Sequence, residues 1–238
     1  VKKVSMELGG NAPVIVFDDA DLDAAVAGAA ASKYRNSGQT CICANRILVQ
    51  DSVYDEFVAR FTETVNGFRL GDGLDENNTH GPVVTTKAAQ DIDAMVQEAI
   101  ANGAEAVVGG GVDEEQGPRY YRPTILTNVN EDMRVFREEI FGPVAPIFKF
   151  STEEEAIAMA NDTEFGLASY IYTRDIGRVW RVSEGIEYGM VGVNETAITS
   201  DIIPFGGVKE SGMGREGSRY GVEDYIESKY ICMGGLDK

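Results

Sequence analysis

The sequence predicts an α/β fold in which helices sandwich a sheet, and three observations carry that prediction. Short, mostly apolar runs (Val14-Ile15-Val16-Phe17, Ile47-Leu48-Val49-Gln50, Met190-Val191-Gly192-Val193) have the length and β-branched content of buried strands. Between them lie segments with apolar residues at helical spacing, such as Tyr54, Phe57, Val58 and Phe61, or Ala88, Ile92, Met95, Val96, Ala99 and Ile100. The two patterns alternate along the chain, the order that stacks helices on a sheet.

Taken in order, Val1 to Met6 reads as the end of a strand, and the absence of an initial Met points to a piece of a longer protein. Gly9 and Gly10 allow close backbone approach before the Val14 strand. Asp18, Asp19 and Asp21 offer N-cap carboxylates, and the small residues from Ala24 to Ser32 suit a helix packed tightly on a neighbour. After the Ile47 strand, Ser52 is the expected cap of the Tyr54–Phe61 helix. Gly71 to Pro82 is loop, Lys87 to Asn102 a helix, Ala106 to Gly109 a strand, and Tyr121 to Leu126 extended. Pro146 to Phe150 is a strand, and Thr152 with Glu155 forms a capping box for the next helix. The strand at Ser169–Tyr172, the helix at Asp175–Glu184 and the strand at Met190–Val193 complete the alternation. The irregular stretch from Asn194 to Gly217 is long enough to signal function. Tyr225 to Met233 alternates like a strand and is expected to pair outside its own domain.

Bulk properties exclude several classes. The 238 residues carry a net charge of −18, which argues against nucleic acid or an anionic membrane as partner. No apolar run approaches a membrane span and no signal-peptide pattern opens the chain, so the expected location is the cytoplasm. Three cysteines suggest no disulfide framework, and a single histidine, His80, argues against metal catalysis. Gly212-Met213-Gly214-Arg215-Glu216-Gly217 has dinucleotide-fingerprint spacing but lacks the flanking strand and crossover helix that would give it meaning.

The chemistry centres on Arg35-Asn36-Ser37-Gly38-Gln39-Thr40-Cys41-Ile42-Cys43. A thiol is a useful nucleophile only as thiolate, and small polar residues before Cys41 let backbone N–H groups converge on the sulfur or on an oxyanion beside it. An isolated cysteine beside a strand is more often a small core residue, so its neighbours must decide.

Those neighbours carry a resemblance. Glu7-Leu8-Gly9-Gly10, Gly38-Gln39-Thr40-Cys41, Glu138-Glu139-Ile140-Phe141-Gly142-Pro143-Val144 and Pro204-Phe205-Gly206-Gly207-Val208-Lys209-Glu210-Ser211-Gly212 together resemble the NAD(P)-dependent aldehyde dehydrogenases, in that family's order and spacing. The resemblance implies a three-layer αβα catalytic domain over 9–195, preceded at 1–8 by the end of a Rossmann-like cofactor domain that is largely absent. It also implies an active-site loop and return segment over 196–222 and an oligomerisation strand over 223–238, within a homodimer or homotetramer. It implies Cys41 as nucleophile, Glu7 as general base, Glu139 on the nicotinamide ribose, Phe141 near the nicotinamide, and Leu8 and Gly9 beside the NAD or NADP cofactor. A covalent adduct explains the pair of catalytic residues: hydride leaves a tetrahedral alkoxide far more readily than a bare aldehyde, and a carboxylate can then activate water against the thioester.

Within the family, the Cys41 segment and Gly214 to Tyr225 look most like succinate-semialdehyde dehydrogenases. That likeness implies a small ω-carboxylate aldehyde as substrate, its carboxylate held by Arg35 and by a hydroxyl at Thr199 or Ser200. Dehydrogenases of glutarate semialdehyde or of an uncharged aldehyde are the nearest alternatives, and a folded oligomerisation module without activity of its own is another. Cys43 matches a redox partner that some of these enzymes use for Cys41, and Cys232 reads as structural. With the implied cofactor domain outside the chain, these 238 residues alone are expected neither to bind cofactor tightly nor to turn over.

Overall fold

The computed structural model describes residues 2–236. Its elements in chain order are β1 (Met6–Glu7), β2 (Ala12–Val16), α1 (Leu22–Tyr34), β3 (Ala44–Gln50), α2 (Asp51–Asn66), α3 (Thr86–Ala101), β4 (Glu105–Val108), β5 (Thr124–Thr127) and α4 (Arg134–Arg137). There follow β6 (Val144–Phe150), α5 (Glu153–Asn161), β7 (Phe165–Gly166), β8 (Ala168–Tyr172), α6 (Ile176–Gly185), β9 (Met190–Val193), β10 (Val208–Lys209) and β11 (Gly212–Met213). Seven strands form one sheet in the order β4-β5-β6-β3-β2-β8-β9, all parallel except β4 at one edge.

The alternation of side chains sorts the strands' residues onto two faces. Val14, Val16, Ile47, Val49, Tyr170 and Tyr172 point into one core with α1 and α2. Ile15, Phe17, Leu48, Phe148 and Ile171 point the other way, into a core with α5 and α6. On that second side Leu126 and Val144 meet α3 and α4. The result is three layers, and it explains why the strands read as continuous apolar runs: both of their faces are covered.

Helix starts follow the sequence signals closely. The Asp21 side chain accepts from Ala24 N, Thr85 from Ala88 N, Thr152 from Glu155 N, and Asp175 from Gly177 and Arg178 N. The α2 helix departs from expectation: it begins at Asp51 directly after β3, so Ser52 lies inside the helix and caps nothing. At the amino end the strand is shorter than expected, Met6–Glu7 alone, antiparallel to Gly212–Met213; Val1 lies outside the described residues. The fingerprint-like glycines open no helix, and Gly212 instead pairs with Glu7. Residues 226–235 carry no strand pairing among the described residues and are exposed; the pairing expected of them lies outside this chain's own domain. Cys232, within this segment, is exposed.

Candidate active site

Three loops that precede parallel strands meet at the amino ends of β2, β3 and β6, opposite to the carboxyl ends where open α/β sheets usually bind ligands. The loop before β3 is shaped at the end of α1, where Asn36 and Ser37 adopt left-handed φ of 52° and 55°. Asn36 Nδ2 donates to Gln39 O at 3.1 Å and Gln39 Nε2 to Asn36 O at 2.9 Å, while Gln39 Oε1 accepts from Val84 N at 2.8 Å. This braced reversal turns the chain back and puts Cys41 in the turn leading into β3.

The Glu7–Asn11 loop presses directly on that turn. A Cβ on Gly10 would run into the Cys41 carbonyl oxygen, so that position requires glycine, while one on Gly9 would lie 2.7 Å from Glu139 Oε2 and push that carboxylate aside. Gly10 N donates to Glu139 Oε1 at 3.0 Å. The third loop is held by two buried asparagines that sequence reasoning missed. Asn45 Nδ2 donates to Asn11 Oδ1 at 2.7 Å and to Glu138 O at 2.8 Å, and Asn45 Oδ1 accepts from Ile140 N at 3.1 Å. Asn11 Nδ2 donates to Phe136 O at 2.9 Å. These bonds fix the backbone on both sides of Glu139. Ser211, also missed and fully buried, ties the late segment in: its Oγ donates to Gly9 O at 2.7 Å and accepts from Gly166 N at 2.9 Å.

Phe141 is 41% exposed with φ of 51°, a conformation that a bulky residue adopts only under constraint and that marks functional loops. Leu8 is exposed beside Gly9. Glu7 is exposed on β1, yet the water lost on its inner side raises its carboxyl; Glu216 raises it further and Arg215 lowers it. Glu216 is thus an acid close enough to act on Glu7, hidden in sequence by the 208 residues between the two.

Cys41 is half-buried, and that burial pushes its thiol up; its own N–H pulls it down, and Glu7, Glu139 and Cys43 push it up again. The sulfur therefore shares a field with both predicted carboxylates, and as it stands that field favours the thiol. Cys43 is buried, with Sγ donating to Gly38 O at 3.1 Å, and both cysteines are free.

Arg35, at the end of α1, is exposed and has no hydrogen-bond or ion-pair partner among the described residues. It opens onto a cavity of about 120 Å³ lined also by Ser32, Cys43, Tyr170, Thr196 and Ala197. Thr199 and Ser200 do not line it: both are exposed, and Ser200 Oγ turns to Asp201 Oδ1 at 3.3 Å. The hydroxyl of the late loop at this cavity is that of Thr196, three residues before Thr199.

Residues 1–231 match the model of the aldehyde dehydrogenase family. The chain belongs to that family. Among curated aldehyde dehydrogenases it is 57% identical over its whole length to a 3-sulfolactaldehyde dehydrogenase of Pseudomonas putida, 49% of which it covers. It is 55% identical to a mitochondrial succinate-semialdehyde dehydrogenase of Oryza sativa subsp. japonica, covering 100% of this chain and 45% of that protein. A crystal structure of an NADP-dependent enzyme of E. coli superposes with a TM-score of 0.96 at 55% identity, over 98% of this chain and 48% of that one. The chain spans about half the length of the curated relatives it matches. Among the described residues no helix is long and apolar enough to cross a membrane.

Proposed function

We propose that the protein oxidises a small aldehyde with an anionic far end, succinate semialdehyde foremost, using NAD or NADP. The observation that carries the substrate is Arg35. In a chain of net charge −18 its guanidinium has no carboxylate partner among the described residues and faces a cavity shared with Cys43, two residues from Cys41. A planar guanidinium suits bidentate capture of a carboxylate. The names of the relatives support the same class, since succinate semialdehyde and 3-sulfolactaldehyde both carry an acid group remote from the aldehyde.

In this reading the Cys41 thiol first loses its proton to solvent; the thiolate Sγ then bonds to the aldehyde carbon, the carbonyl π pair moves to oxygen, and the new alkoxide takes up support from the Cys41 N–H. NAD or NADP, when bound, supplies the hydride acceptor. Cys41 carries the carbon as thiohemiacetal before that transfer and as thioester after it. Glu7 then takes a proton from water as the water attacks the thioester, the C–S bond breaks, and the acid departs. A carboxyl raised towards neutrality is suited to that task. The residues fit the nicotinamide half of the cofactor: Glu139 keeps one oxygen on Gly10 N–H and turns the other across the bare face of Gly9, where ribose hydroxyls would find an acceptor. Leu8, next to Gly9 in the chain, and Phe141, two residues after Glu139, are both exposed.

The reading extends to assembly and to the isolated chain. The segment 223–238 joins copies of the protein into a homo-oligomer, and the 238 residues alone, with Cys41 held as thiol among acids, do not turn over. In the full-length protein, Arg35→Ala should lower kcat/KM for succinate semialdehyde roughly 30-fold, the loss of about 2 kcal/mol from a charge-assisted contact. An uncharged aldehyde of similar size should be nearly unaffected. Equal losses on both substrates would remove Arg35 from substrate recognition.

A further inference from the structure

Two side chains that line the cavity onto which Arg35 opens are also bonded to the backbone that carries Cys41. Tyr170, on β8, is 1% exposed, and its hydroxyl donates to Ile42 O at 2.6 Å. Ser32, in the last turn of α1, accepts from Ala44 N at 3.0 Å. Together they grip the outgoing end of the turn over 40–43, which Cys43 N closes by donating to Thr40 O at 3.1 Å.

The neighbouring elements are shaped around this arrangement. A Cβ on Gly192 of β9 would lie 2.9 Å from Tyr170 Cδ1 and 2.8 Å from Ile198 Cγ2 and would run into Glu195 O, so the bare strand gives room both to the tyrosine ring and to the late loop. A phenylalanine would fill the same apolar volume; the added hydroxyl serves Ile42 O, a buried carbonyl that would otherwise stay unpaired. From the opposite side Gly10 presses on Cys41 O. The peptides after Cys41 are thus held from the cavity side, and a group that fills the cavity rests on the same two side chains.

We propose that Ser32 and Tyr170 are positioning residues: one wall bounds the pocket for the anionic end of the aldehyde and clamps the turn that aims Cys41. The role rests on the reading of Cys41 as nucleophile and of this cavity as the seat of the acid group. Both hydroxyls act on rate through the Cys41 backbone, without contact to the reacting carbon.

The test is a single turnover by the full-length protein in excess over aldehyde, followed as NAD(P)H absorbance, because its rate constant is independent of the fraction of protein that is active. Tyr170→Phe keeps the ring and removes the hydroxyl. It should slow that rate constant about 3- to 10-fold, the contribution of one hydrogen bond, for succinate semialdehyde and an uncharged aldehyde alike. The enzyme concentration that half-saturates the reaction with succinate semialdehyde should not change. In this chain alone, the same variant should raise amide hydrogen exchange in the peptide spanning 40–44. An unchanged rate constant or unchanged exchange overturns the proposal. So does a loss confined to succinate semialdehyde, which would make Tyr170 a substrate contact, and so does a smaller amplitude at the same rate constant, the mark of a merely structural hydroxyl. If Tyr170→Phe fails to fold, Ser32→Ala frees Ala44 N from the same turn and is read by the same criteria. Cys41→Ala tests the reading beneath: abolished NAD(P)H formation supports the nucleophile, and retained formation refutes it whatever the wall variants do. The Arg35→Ala comparison does the same for the cavity.

Discussion

At the scale of single residues, the field around Cys41 is its most consequential property. Partial burial, Glu7, Glu139 and Cys43 all oppose the thiolate, and only the residue's own N–H favours it. Alkylation of Cys41 by iodoacetamide should therefore be slow at pH 7 and rise with pH along a curve displaced to higher pH than that of a free thiol. Glu7→Gln removes one negative neighbour, so it should shift that curve to lower pH and speed alkylation at pH 7 several-fold. Mass spectrometry of the modified peptide distinguishes Cys41 from exposed Cys232. An unchanged profile would mean that Glu7 and Cys41 do not share a field. The identities of these residues were legible because each stands in a compact motif. The role of Tyr170 was not, since a tyrosine in an apolar strand ordinarily reads as core, and no local pattern shows that its hydroxyl reaches Ile42 O.

At the scale of elements, the site depends on how three loops are joined before their strands. Asn45 satisfies Asn11 Oδ1, Glu138 O and Ile140 N at once, all in the interior. Asn45→Ala should cost about 3 kcal/mol in denaturant unfolding, because buried partners would be left unpaired. It should also loosen Glu139, read as weaker cofactor binding in the full-length protein. A loss under 1 kcal/mol would mean that water replaces the side chain without penalty. Strands and helices were readable because buried parallel strands have no polar face and because Asp21, Thr85, Thr152 and Asp175 supply local caps. The asparagine network was not readable: its bonds cross 34, 93 and 95 positions of sequence, and isolated asparagines look like turn residues. Ser52 misled for a simpler reason, since β3 runs into α2 without the loop that a serine cap would need.

At the scale of the whole molecule, the sheet and its two helical layers form a body from which the last segment stands apart. Tyr225, Tyr230, Ile231 and Met233 are between 66% and 88% exposed, a concentration of apolar surface that water does not favour leaving open. Deleting residues 226–238 should reduce the full-length protein to smaller species in analytical ultracentrifugation while leaving the melting of the sheet domain little changed. Retention of the original mass would show that assembly uses another surface. The alternating pattern of this segment was visible, but strand formation depends on a neighbour, and pairing is not encoded in one strand alone.

The crowding of acids around Cys41 bears on how the protein survives while idle. Peroxides and electrophilic poisons consume thiolates, and a sulfur kept protonated reacts with them slowly. If Cys41 is the nucleophile proposed above, the negative neighbours that oppose its thiolate would act as a safety catch, sparing the sulfur from oxidation until a substrate is bound.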